Sequence, residues 1–82
     1  MRVEIGKYIT IDDEVCHGKP IFKGTRILVS DVIELLATSV SIKEIIKDYY
    51  PSLNKEMIKE ALDWAAKIIR GEHHIRYSEV PA

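Results

Sequence analysis

Gly18-Lys19-Pro20-Ile21-Phe22-Lys23-Gly24-Thr25-Arg26-Ile27 is the stretch whose reading decides the fold. Pro20 pushes Lys19 toward extended backbone. Ile21 and Phe22 are strand-like. Lys23-Gly24 suits a tight turn, because Gly24 tolerates a positive φ. Ile27, Leu28 and Val29 continue as strand or buried connector. The segment reads as a short hairpin, with Ile21 or Phe22 and Ile27 gripping a core. Lys19, Lys23 and Arg26 give it a basic surface. Gly18-Lys19 is not a phosphate loop, since the Gly-x4-Gly-Lys-Ser/Thr spacing is absent.

On the N-terminal side, Val3 and Ile5 alternate with Arg2 and Glu4, and Ile9 and Ile11 alternate with Tyr8 and Thr10. A period of two is that of a half-buried strand, with Gly6-Lys7 as a turn or bulge. Its open edge is a template for a second copy or a partner. Asp12-Asp13-Glu14 reads as a solvated turn. On the C-terminal side, Ser30 is placed to cap a first helix carrying Val32, Leu35 and Leu36 on one face. Ser41-x-x-Glu44 is a capping box for a second helix, and Pro51 stops it. Asn54 caps a third helix that ends at Gly71, with Leu53 and Ile58 at hydrophobic-staple positions. The expected fold is therefore mainly α: a three-helix, helix-turn-helix-like bundle preceded by a short N-terminal β-arm or hairpin. It is one domain over residues 1–71, with the β-arm at 2–29, helices at about 30–38, 42–50 and 55–70, and a C-terminal tail at 72–82.

The third helix is apolar on two adjacent stripes. That breadth marks Met57, Ala61, Trp64 and Ile68 as a candidate homodimer interface. Composition fits a soluble globular protein: 82 residues, 46% hydrophobic, 30% charged and a net charge of −1. A chain of this size buries roughly 60–65% of its unfolded surface, which makes a thin core. The balance of charge excludes a strongly basic nucleic-acid binder but leaves room for a local basic patch. Cys16 is the single cysteine, so a reducing compartment is expected. The N-terminus reads as strand and not as a signal peptide, and no apolar run approaches the ~20 residues of a membrane span. The expected location is cytoplasmic.

No catalytic constellation is visible. Cys16-His17 and His73-His74 are adjacent pairs without zinc-ligand spacing, so neither metal nor cofactor is expected. A Cys/His nucleophile lacks an orienting third group. The remaining chemistry is binding. Two helices joined by a short turn are compatible with a DNA reader, in which Asn54, Lys55 and Lys59 lead the third helix and Lys23 and Arg26 assist. Glu56 and Glu60 stand against that reading, since they repel phosphates.

The segment Asp12 to Ile27, with its Gly-Lys-Pro…Gly-Thr-Arg-Ile core, resembles the start of the domain-of-unknown-function family DUF433. Val29-Ser30, the Leu-rich helix, Ser41-Ile42-x-Glu44-Ile45, Tyr49-Tyr50-Pro51-x-Leu53 and an Ala-rich last helix extend the resemblance over about residues 8–70. His17 stands where a second glycine is common, and Phe22-Lys23 replaces a small apolar residue followed by Arg. The resemblance implies an antitoxin-like regulator, similar to VapB antitoxins, that neutralises a PIN-like ribonuclease toxin and also binds operator DNA. It carries over no catalytic residue. PIN-type nucleases hold divalent metal on clustered carboxylates, so a basic inhibitor group is expected. Arg76, flanked by Ile75 and Tyr77, is the first candidate for it and Arg70 the second. The competing expectation is a protein-only dimeric interaction module without DNA binding.

Overall fold

The chain doubles back at Gly6-Lys7, and that reversal changes the architecture. In the computed structural model, which describes residues 1–71, β1 (Arg2–Glu4) and β2 (Ile9–Asp12) form a hairpin, and β3 (Ile21–Phe22) pairs back on β2. All pairings are antiparallel and the order is β1-β2-β3. Three helices follow. They are α1 (Val29–Ala37), α2 (Ile42–Glu44), which runs on as a π-helical segment Ile45–Tyr49, and α3 (Lys55–Arg70).

The expectation of a mainly α bundle with a β-arm is therefore wrong. The fold is mixed α/β, and its three-stranded sheet is a structural layer. Cross-strand partners share a face. Ile9 pairs with Phe22, and both are fully buried in one cluster with Val29, Val32, Ile45, Leu53, Met57, Ile58 and Ala61. The sheet thus supplies two of the largest core side chains. Of the turn or bulge expected at Gly6-Lys7 the chain forms the turn, and what alternation could not show is that the two halves of residues 2–11 pair with each other.

The opposite face of the sheet carries Arg2, Glu4, Thr10, Asp12 and Ile21, by the registers Arg2↔Asp12, Glu4↔Thr10 and Thr10↔Ile21. Thr10 and Ile21 are each only 3% exposed. Here the chain passes through a 3-10 turn, Cys16–Gly18, in which Cys16 and His17 adopt left-handed φ values of 51° and 58°. Cys16 is half-buried and not a core residue; its thiol donates to the Arg26 carbonyl at 3.6 Å. The Lys23-Gly24 turn forms as expected. Gly24 has φ 75°, and Thr25 N–H donates to the Phe22 carbonyl at 3.0 Å.

Two of the three expected helix starts hold. Ser41 and Glu44 make both arms of the capping box, at 3.1 and 3.0 Å. Asn54 Oδ1 accepts from Met57 N–H at 2.9 Å, and Gly71 closes α3. The first differs. Leu28 is the N-cap of α1, without a side-chain cap, and Ser30 lies inside the helix. Leu28 bridges to Ile21, and Val29 N–H donates to the Pro20 carbonyl at 3.0 Å. Tertiary pairing does the work there that a serine cap does elsewhere.

Glu60 ties the sheet to α3. Its carboxylate accepts from Tyr8 N–H at 2.8 Å and Lys7 N–H at 3.2 Å, the two amides that follow Gly6. A Cβ at Gly6 would lie 2.7 Å from Glu60 Oε2. Gly6→Ala is therefore expected to cost about 1–2 kcal/mol, because the carboxylate must leave charge-assisted bonds. In a Glu60→Ala background the same change is expected to cost under about 0.5 kcal/mol, so a double-mutant cycle by urea denaturation should show clear coupling.

Candidate nucleic-acid interface

Capping and periodicity on α2 and α3 together place four lysines. The Ser41–Glu44 box starts α2 so that Ile45 points into the core, fully buried, and Ile42 and Ile46 pack half-buried against it. Lys43 and Lys47 are left outside. The Asn54 cap starts α3 so that Met57, Ile58 and Ala61 are buried, and this leaves Lys55 and Lys59 outside. Each pair is spaced i, i+4, one helical turn. Ile42, Lys43, Ile46 and Lys55 line one groove of about 380 Å³. Its floor is aliphatic and its walls are cationic, from both helices.

None of these lysines has an ion pair among the described residues. The ion pairs formed there are Met1 ammonium–Asp13, Arg2–Glu4 at 2.8 Å, Lys23–Glu4 and Lys67–Asp63 at 3.1 Å. Two carboxylates with a claim on this surface are engaged elsewhere. Glu60 is turned to the backbone of Lys7 and Tyr8, which removes it from the repulsion that its sequence position implies. Glu44 is held by the capping box. The Ser41 backbone N–H, helped by its hydroxyl, keeps the Glu44 carboxyl below its ordinary value of 4.5. Glu56 remains exposed, about 100° around α3 from Lys55.

The other expected site residues divide. Asn54 is exposed, but its side-chain oxygen is committed to the α3 cap, which leaves it no free carbonyl for bidentate adenine reading. Lys23 is paired with Glu4 on the sheet. Arg26 lines a different cleft, with Arg2, Asp12 and Val15. Lys23 and Arg26 thus do not join Lys55 and Lys59 in one site. Met57 and Ala61, 8% and 0% exposed, are core residues of this chain, so neither offers a surface to a second copy. Trp64 packs half-buried against the same core, and Ile68 is half-buried. The large apolar residues that α3 leaves outside are Leu62 and Ile69. A broad apolar set on α3 is explained by its central place, packed against β2, α1 and α2. Arg70 is exposed in the last turn. Ile75, Arg76 and Tyr77 lie outside the described residues, as do His73 and His74.

Lys43 and Lys47 were not among the site residues expected from the sequence. Their signal was the i, i+4 repetition of lysine on two successive helices.

No described helix is long and apolar enough to cross a membrane. Among the described residues no three His, Cys, Asp or Glu side chains are grouped to hold a metal.

The sequence profile of a family described as protein of unknown function (DUF433) matches residues 9–65. The chain belongs to the DUF433 family. The match runs from the first residue of β2 into α3, so it takes in the β2–β3 pairing, the left-handed 3-10 turn, α2 and the lysine-bearing part of α3, and leaves out β1. No curated protein and no solved structure matches the chain significantly.

Two outcomes test this geometry. Asn54→Ala is expected to lose about 1 kcal/mol of stability, whereas Asn54→Asp, an equally good cap, should stay within about 0.3 kcal/mol of the parent by thermal melting. Glu44 stabilises the fold above its unfolded pKa, and that contribution is lost as the pH falls through its lowered folded value. The melting-temperature gap between the parent and Glu44→Gln should therefore be constant near neutrality and drift as the pH drops below 4.5.

Proposed function

We propose that this DUF433 chain is an antitoxin-like regulator. It docks the α2–α3 surface on operator DNA, and it neutralises a PIN-like ribonuclease through groups C-terminal to α3. The observation that carries the DNA part is the set of Lys43, Lys47, Lys55 and Lys59, exposed on two successive helices and unpaired among the described residues, with Lys43 and Lys55 lining one groove between them. Lysines in that state lose little by meeting phosphate, and their release of counterions from DNA supplies the affinity. Glu60 directs its carboxylate to the backbone amides of the sheet turn, which lowers its share of the repulsion. A net charge of −1 confines attraction to this face, which orients the protein on the duplex.

The toxin-binding part rests on the sequence resemblance. Arg76, with Ile75 and Tyr77, is the group offered to the nuclease carboxylates, and Arg70 stands at the helix end that leads to it. In this reading the chain acts in the cytoplasm, as a homodimer, by binding and not by catalysis. The second reading, a protein-only dimeric module, draws on Ile69, 83% exposed, and Leu62, 39% exposed, on α3.

The test is fluorescence anisotropy with a duplex from the region upstream of the protein's own reading frame, repeated across salt concentrations. Four phosphate contacts per chain, eight per homodimer, give an expected log–log slope of about −7.2, and Lys55→Gln/Lys59→Gln should flatten it by about 3.6. Absent or salt-independent binding overturns the DNA reading and favours the protein-only module.

A further inference from the structure

The sheet face turned away from the helices bears a second cleft, independent of the lysine groove. It has a volume of about 380 Å³, and its lining includes Arg2, Thr10, Asp12, Val15, Ile21 and Arg26. Its charges nearly balance. Glu4 takes both Arg2, at 2.8 Å, and Lys23. Asp12 stands opposite Arg2 in the β1–β2 register, and its Oδ1 accepts from Glu14 N–H at 2.9 Å. Arg26 is exposed and meets no carboxylate among the described residues. Among the residues that line the cleft, Arg2 and Arg26 oppose Asp12, which leaves one positive charge, at Arg26.

The backbone that presents Arg26 is fixed. The Thr25 hydroxyl donates to the Phe22 carbonyl at 2.8 Å and accepts from Ile27 N–H at 3.0 Å, so it spans the residue between. Phe22 N–H donates to the Ile27 carbonyl at 3.1 Å. The Arg26 carbonyl accepts from the Cys16 thiol. A guanidinium on so constrained a root loses less freedom when it engages a ligand, and its planar fork matches a carboxylate in bidentate fashion. Val15, half-buried, gives the same cleft an aliphatic wall, and the buried Ile21 lies beneath it.

We propose that this cleft is a protein-docking site in which Arg26 receives one Asp or Glu carboxylate of a partner, with an apolar neighbour of that residue against Val15. Net charge decides against nucleic acid. A single surplus cation suits a monoanion, while Glu4 and Asp12 repel a run of phosphates. The proposal does not depend on the lysine surface or on any nuclease partner.

The test is NMR on the full chain, following the Arg26 side-chain N–H and the Val15 and Ile21 methyl groups. The probes are acetyl-Leu-Glu-Leu-amide, its Gln counterpart, inorganic phosphate and a mixed-sequence DNA duplex. The Glu peptide is expected to move these three signals with millimolar saturation, and the Gln peptide to move them at least fivefold less at equal concentration. Arg26→Gln should abolish the difference, with the Ile9 and Val32 methyl signals unchanged to show an intact core. Arg26→Lys keeps the charge without the fork and should retain only part of it. Equal responses to the Glu and Gln peptides overturn the proposal. So does a stronger response of the same signals to phosphate or duplex DNA, which would assign the cleft to phosphate groups.

Discussion

Burial of Ile9 and Phe22 against the helices is the constraint on which the rest of this small structure depends. A chain of 82 residues commands little apolar area, and each fully buried side chain of this size is worth about 2–3 kcal/mol. Ile9 and Phe22 sit opposite one another on adjacent strands, so one contact with the helices anchors both. Their register then sets the rest of the sheet. Thr10 and Ile21 must face the other way, and the residues that wrap over them form a second, thinner layer. Glu60 fixes the angle between sheet and α3 by holding the turn at Lys7 and Tyr8. Gly6 is the residue that permits so close an approach.

What was legible in the sequence was local. Ser41 with Glu44, Asn54 and Gly71 mark helix ends by chemistry confined to one turn, and the structure places them as read. The turn at Gly24 is of the same kind. What was not legible was non-local. Two three- and four-residue strands flanking Gly6-Lys7 show the alternation of one longer strand, and only pairing distinguishes them. Leu28 opens α1 because Ile21 and Pro20 hold it, which no local signal announces. Met57 and Ala61 look like surplus apolar surface until the sheet is present to cover α3. The acidic residues teach the same lesson for the site, since the carboxylate of Glu60 is taken up by a strand turn more than fifty residues away in sequence.

The charged surface is divided between two sides of the sheet–helix sandwich. On the helix side Lys43, Lys47, Lys55 and Lys59 form no ion pair among the described residues, although Asp48 and Glu56 are exposed beside them, and they suit an extended polyanion. On the far side the charges are nearly compensated, and one constrained guanidinium is left over. A regulator that meets both DNA and protein needs two such surfaces of different character, because one shared surface would make the partners compete. Membership of DUF433 supplies no activity by itself. The division of charge is what gives the functional reading physical content.

Lysine acetylation footprinting tests the central claim most directly. The protein is acetylated with and without a mixed-sequence duplex at low salt, and modification is quantified at each lysine by mass spectrometry. Docking through α2 and α3 predicts protection of Lys43, Lys47, Lys55 and Lys59, with Lys7, Lys19 and Lys67 modified as in the free protein. Protection centred on Lys7 and Lys19, or no difference at any lysine, would contradict it.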